Sequence, residues 1–107
     1  MNLPDVIAAL LKAQNDFDST AYARCFANNA LVYDEGRTHQ GFEQIKAWNE
    51  QTNAEYATIL APIDYATTPK GGILTTLGSG TFPGSPIVFK YHFELDNDKI
   101  ASLKITG

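Results

Sequence analysis

The sequence predicts an α+β domain in which three N-terminal helices pack on a curved antiparallel sheet with a mixed edge. Two observations carry this. From Val6 to Asn53 apolar residues recur mostly at three- and four-residue spacing, the period of a helix face, interrupted by one short apolar run ending in Asp34. From Glu55 onward the period changes to two, in long runs separated by Gly, Pro, Asn and Asp clusters. Helices grouped at the front of a chain and strands behind them suit a layered α+β arrangement.

The first helix begins near Asn2, Pro4 and Asp5, with Pro4 inside the first turn, and its apolar face runs through Val6, Leu10, Ala13 and Phe17. Asp18, Ser19 and Thr20 form the next capping cluster. A short second helix then puts Ala21, Tyr22, Cys25 and Phe26 on one side, and Asn28 and Asn29 end it. Ala30 to Asp34 is a strand, and Asp34-Glu35-Gly36-Arg37 turns the chain. The third helix is opened by Gly41, runs to about Asn53 and carries Phe42, Ile45 and Trp48.

Four strands follow, Tyr56 to Thr68, Ile73 to Gly80, Pro86 to Asp96 and Lys99 to Thr106. Their clearest alternation sets Ile87, Phe89, Tyr91, Phe93 and Leu95 against Val88, Lys90, His92 and Glu94. The first set is expected to face the helices. At 107 residues there is room for one domain and no more.

A net charge of −4 without any Lys/Arg cluster argues against nucleic-acid and anionic-membrane partners, which need cations gathered on one surface. The single cysteine, Cys25, excludes an internal disulfide, and with only His39 and His92 beside it there is no metal-ligand set. The first residues lack a basic leader and break their apolar run at Pro4, Asp5 and Lys12, so neither a signal peptide nor a membrane span is expected. A soluble, cytoplasmic protein is the expectation.

The stretches FANNALVYD, from Phe26 to Asp34, and HQGFEQIKAW, from His39 to Trp48, in this order of elements resemble the nuclear transport factor 2-like superfamily, in its SnoaL-like branch with ketosteroid isomerase and polyketide cyclases. The resemblance implies a cystatin-like, cone-shaped α+β barrel with a pocket between sheet and helices, and a homodimer formed through the outer sheet face. It places Asp34 where ketosteroid isomerase has its proton-transferring aspartate, and Tyr91 close to the place of that enzyme's oxyanion-binding acid. It also implies a tyrosine in the first helix, where this chain has Leu10 and Leu11.

Asp34 is in phase with Val32 and Ala30, so a carboxylate there enters the hollow if that face lines it. Burial would raise its pKa and suit a general base, a tuning for which ketosteroid isomerase is itself the standard worked case. The alternative is a turn acid that accepts backbone N–H groups or pairs with Arg37. Tyr91 is the candidate oxyanion donor, or else a core phenol. Phe17, Tyr22, Val32, Trp48, Tyr65 and Phe89 are candidate pocket walls, and His39 a candidate proton shuttle if it folds over the mouth.

The function this supports is a cofactor-independent acid/base enzyme of isomerase, cyclase or dehydratase type acting on a small apolar carbonyl compound. The alternative is a non-catalytic ligand-binding or dimeric interaction module using the same hollow. No dinucleotide fingerprint implies a cofactor, because the Gly71-Gly72 and Pro83-Gly84 pairs are followed by strands rather than helices.

Overall fold

The structure, a computed structural model, describes all residues from Met1 to Gly107. Three helices, α1 (Asp5–Asn15), α2 (Ser19–Arg24) and α3 (Gly41–Tyr56), lie against one sheet of six strands. The strands are β1 (Phe26–Asp34), β2 (Arg37–Gln40), β3 (Ile59–Thr68), β4 (Gly71–Ser79), β5 (Ile87–Asp96) and β6 (Lys99–Thr106). Their spatial order is β2-β1-β6-β5-β4-β3. Only β1 and β6 run parallel, so the sheet is mixed and open, not a closed barrel.

Three boundaries depart from the sequence reading, each for a local reason. The strand predicted from Ala30 begins at Phe26, and the pairing with β6 breaks between Phe26 and Leu31. Asn29 sits in that break with φ +62, a conformation asparagine tolerates, so the Asn pair marks a bulge instead of a helix end. The predicted turn after Asp34 is a two-residue hairpin loop, Glu35 and Gly36 both having positive φ, and it returns as β2, which the sequence reading lacked. The third helix runs on to Tyr56 because its stop is Ala57 in the left-handed conformation, with no glycine to announce it.

The inward face of β5 is the one the alternation selects. Tyr91 and Phe93 are buried, whereas Val88, Lys90 and Glu94 are exposed. With Leu74, Ile100, Leu103, Val32 and Leu60 they form the sheet side of the core, covered by Ile7, Leu10, Leu11, Tyr22 and Ile45 from the helices. Two glycines let aromatic rings lie flat on the sheet, Tyr65 over Gly72 and Phe89 over Gly78; a side chain at either position would occupy the ring's place.

The helices are also tied to one another by a buried amide cluster. Ser19 Oγ donates to Asn49 Oδ1 at 2.7 Å, and Asn49 Nδ2 donates to Gln14 Oε1 at 2.9 Å. Gln14 Nε2 donates in turn to Asn53 Oδ1 and to the Thr58 carbonyl, both at 2.9 Å, and Asn53 Nδ2 returns to Asn49 Oδ1 at 3.0 Å. Asn15 then mimics a strand edge, exchanging two bonds with the backbone of Leu60. The cluster thus joins α1, α2, α3 and the approach to β3 with every buried polar side-chain atom satisfied.

Replacing Asn49 by leucine, of similar size, strands Ser19, Gln14 and Asn53 together and is expected to cost about 3 kcal/mol in urea unfolding. A loss below about 1 kcal/mol would show that the cluster is dispensable.

Candidate functional site

Between α3, the β1–β2 hairpin, the concave face of β5 and the β4–β5 loop lies an open cavity of about 670 Å³. Its wall is aromatic, with Tyr22, Trp48, Phe82, Phe89 and Tyr91. Its rim is polar, with Glu35, Arg37, Gln51, Thr52 and Glu55, and the amide cluster reaches it through Gln14 and Asn49.

Asp34 borders this cavity from the last position of β1. Val32, two residues earlier on the same face, is fully buried, so the strand carries its core face straight to the cavity and delivers a carboxylate at its end. Arg37 is its cross-strand partner but forms no salt bridge with it, and the chain's three ion pairs lie elsewhere, at Lys12–Asp16, Lys46–Glu50 and Lys70–Glu94. The ion-pair form of the turn-acid alternative, with Arg37 neutralising Asp34, is therefore not what the chain adopts.

Burial pushes the Asp34 carboxyl from the ordinary 3.8 up to about 6, and the neighbouring Glu35 charge adds to the rise. The Trp48 side chain and the Glu35 backbone, as hydrogen-bond donors, offset only part of it.

Tyr91 is 8% exposed and borders the same cavity, and its phenol is raised well above 10 by burial and by the Asp34 charge. It stays protonated, hence a donor, across the physiological range. Trp48 spans the wall between two rings, Tyr22 at 6.1 Å and His39, stacked at 5.3 Å with the planes 24° apart. His39, on β2, lines the cavity, and burial together with Arg37 lowers its pKa and favours the neutral ring.

The nine sequence candidates divide. Asp34, Tyr91, Tyr22, Trp48, Phe89 and His39 meet around the cavity. Val32 lies behind it in the core, and Tyr65 is spent covering Gly72 away from it. Phe17 is corrected outright: its φ of +54 turns it out of the α1 face into the α1–α2 turn, where it is 45% exposed beside Asp16 and Asp18.

Several contributors were missed, Gln14, Asn49 and Phe82 among them. Gln14 had a signal, a single amide on an otherwise apolar helix face, whereas Asn49 shares its face with Asn53 and Thr52 and stood out less. Phe82 had a weaker one, a large aromatic inside a Pro-Gly turn; it packs on Tyr56 and Phe89, both at 6.0 Å, and closes the cavity's edge.

A polyketide cyclase, so named provisionally, from Sinorhizobium meliloti superposes with a TM-score of 0.93 and shares 31% identity over 97% of this chain and 95% of its own. The chain belongs to the nuclear transport factor 2-like superfamily, in its SnoaL-like, ketosteroid-isomerase-like branch. Fold alone is shared with two proteins of lower identity. A protein of ketosteroid isomerase-like fold from Catenulispora acidiphila, in complex with trimethylamine, has a TM-score of 0.88 at 18% identity, over 99% of this chain and 87% of that one. The epoxide hydrolase/cyclase-like enzyme SalBIII of salinomycin pyran-ring formation has 0.76 at 17%, over 94% and 86%. No protein-family model and no curated protein matches the sequence.

The raised Asp34 pKa has a consequence for this superfamily member's stability. Between the unfolded value of 3.8 and the folded value of about 6 the native state holds a proton that the unfolded chain has lost. Stability from this group is therefore fully present below pH 4 and is lost as pH rises through 6. The full displacement would be worth about 3 kcal/mol, which solvent access to a half-buried group reduces to roughly 1 kcal/mol. Asp34→Asn is accordingly expected to be more stable than the native chain by roughly 1 kcal/mol at pH 7.5 and equal to it below pH 4, read by thermal unfolding across pH.

Proposed function

We propose that this SnoaL-like domain is a cofactor-independent acid/base enzyme of isomerase, cyclase or dehydratase type, acting on a small, mostly apolar carbonyl compound. The observation that carries the proposal is the meeting of an unneutralised carboxylate, Asp34, and a buried phenol, Tyr91, on the wall of one aromatic cavity. Asp34, ionised at neutral pH, removes a proton from carbon next to the carbonyl. The electron pair passes to the carbonyl oxygen, and the Tyr91 hydroxyl donates a hydrogen bond to the resulting enolate. Asp34, now protonated and neutral in an environment that favours that form, returns the proton to a second carbon or to a leaving oxygen.

The base form sets the pH dependence. Activity on substrate below saturation should rise with pH through about 6, as Asp34 ionises, and stay level into the alkaline range. Deuterium uptake by a panel of small cyclic ketones and enones in D₂O, followed by NMR, tests the chemistry without a known substrate. Asp34→Asn should slow protein-dependent exchange by about 10²-fold or more. Exchange that is unchanged in this variant would remove Asp34 from the mechanism.

A second reading, binding without turnover, is favoured by the same wall seen as a box. Tyr22, Trp48 and Tyr91 beside the Asp34, Glu35 and Glu55 carboxylates would suit a small organic cation through ring faces and charge. The trimethylamine held by the Catenulispora relative is consistent with that reading. Native mass spectrometry separates the two, since a retained carbonyl compound supports catalysis and a retained amine supports binding.

The proposed assembly is a homodimer through the outer sheet face. Ala61, Leu77 and Val88 are direct cross-strand neighbours there, with Leu77 36% and Val88 47% exposed and Ile63 close by at 51%. Val88→Lys should convert a dimer to a monomer in sedimentation, and a native chain already monomeric at high concentration would contradict the assembly.

A further inference from the structure

Leu10 and Leu11 fill the first-helix place where a tyrosine is implied, and both are buried in the core, so α1 presents no phenol to the cavity. The next helix does. Tyr22, on α2, is 1% exposed and borders the cavity, and neither its hydroxyl nor that of Tyr91 is hydrogen-bonded to a protein group. Yet no fully enclosed polar side-chain atom in the molecule lacks a partner. Both hydroxyls must therefore meet the cavity space, since a sealed and unpaired phenol would cost of order 1–3 kcal/mol.

The Tyr22 ring is not free to turn away. Asp18 caps α2 by accepting from the Ala21 N–H, and the ring is gripped between Phe26 at 5.7 Å and Trp48 at 6.1 Å. Trp48 is itself braced by His39. The orientation is set before any ligand arrives, which is what an electrostatic site requires.

We infer that Tyr22 is a second phenol donor which, together with Tyr91, grips one ligand oxygen across the cavity from Asp34. The cavity is then matched to a molecule with a single acceptor oxygen that gains negative charge while Asp34 loses its own. This rests on the acid/base reading above and adds a catalytic residue to it. In support, both Tyr91 and Asp34 lie close enough to Tyr22 for their charges to raise its pKa, on top of the larger effect of burial. Two phenols held protonated against alkaline pH remain donors to an enolate, whereas a single one would leave more of that oxygen's acceptor capacity unmet.

The test uses 4-nitrophenol, whose anion presents one charged oxygen on a ring and whose absorbance reports its ionisation. Asp34→Asn serves as the parent, because the neutral amide reproduces the charge state that follows proton removal. This parent should bind the anion in preference to the neutral phenol and lower the bound probe's pKa. Adding Tyr22→Phe or Tyr91→Phe should each weaken anion binding by about tenfold and reverse that pKa shift, with the two losses non-additive because they share one oxygen. Binding of 4-nitroanisole, the same ring without an ionisable oxygen, should change by less than about twofold and shows that the cavity is intact.

If Tyr22→Phe keeps anion binding and the pKa shift while Tyr91→Phe loses them, the role of Tyr22 is overturned and the Asp34–Tyr91 reading stands. An equal loss of 4-nitroanisole would make Tyr22 a wall residue only. Failure of the parent to bind the anion, or indifference to both tyrosines, would overturn the two readings together.

Discussion

An acid that closes a core strand without being neutralised is the constraint on which the site depends. Asp34 follows Val32 on the inward face of β1 and stands opposite Arg37 in the hairpin, yet no ion pair forms between them. A carboxylate in that position is a net cost to folding while it is ionised. The Glu35 charge deepens the cost, and the Trp48 side chain and the Glu35 backbone offset only part of it. A chain can carry such a residue when the rest of the fold is stable enough to hold it, which is the usual bargain between stability and activity.

What holds it is divided between two materials. The closed end of the layers is a hydrocarbon core of Ile7, Leu10, Leu11, Ile45, Leu74, Ile100 and Leu103. At the open end the helices are joined by amides, Gln14, Asn49 and Asn53, with Ser19. Apolar side chains at those positions would be drawn down onto the sheet and fill the space. Amides that satisfy one another fix the helix spacing by directional bonds and leave the aromatic wall uncovered. Glycines at 72 and 78 act in the opposite sense, letting Tyr65 and Phe89 approach the sheet closely. In the case of Phe89 this keeps a bulky ring from taking up the cavity.

How much of this was legible in the sequence follows from which forces set each element. The β5 alternation and the strand ending in Asp34 were legible because burial on one face leaves a period of two that survives in the residues themselves. So was the phase of Asp34 with Val32. The hairpin return Arg37–Gln40 was not, since its four residues are polar or exposed and no apolar pattern marks them. The Glu35-Gly36 pair was the available sign. Phe17 was misplaced because helical spacing was extended past a residue whose backbone had already left the helix. Tyr22 and Tyr91 could be assigned a face but not a state of hydrogen bonding, which depends on what lies opposite in space. Phe82 reached the cavity through a loop tethered to the end of α3 by Thr81, a contact no local pattern encodes.

The central claim is that the Asp34 carboxyl looks into this cavity and is held partly desolvated there. Carbon-13 NMR of the aspartate side-chain carboxyls, titrated from acid to alkaline pH with the Asp34 resonance assigned by its absence in one variant, measures that directly. Asp34 should titrate near 6. A midpoint at the ordinary 3.8 would mean that the carboxylate is fully solvated, and the site built around it would not stand.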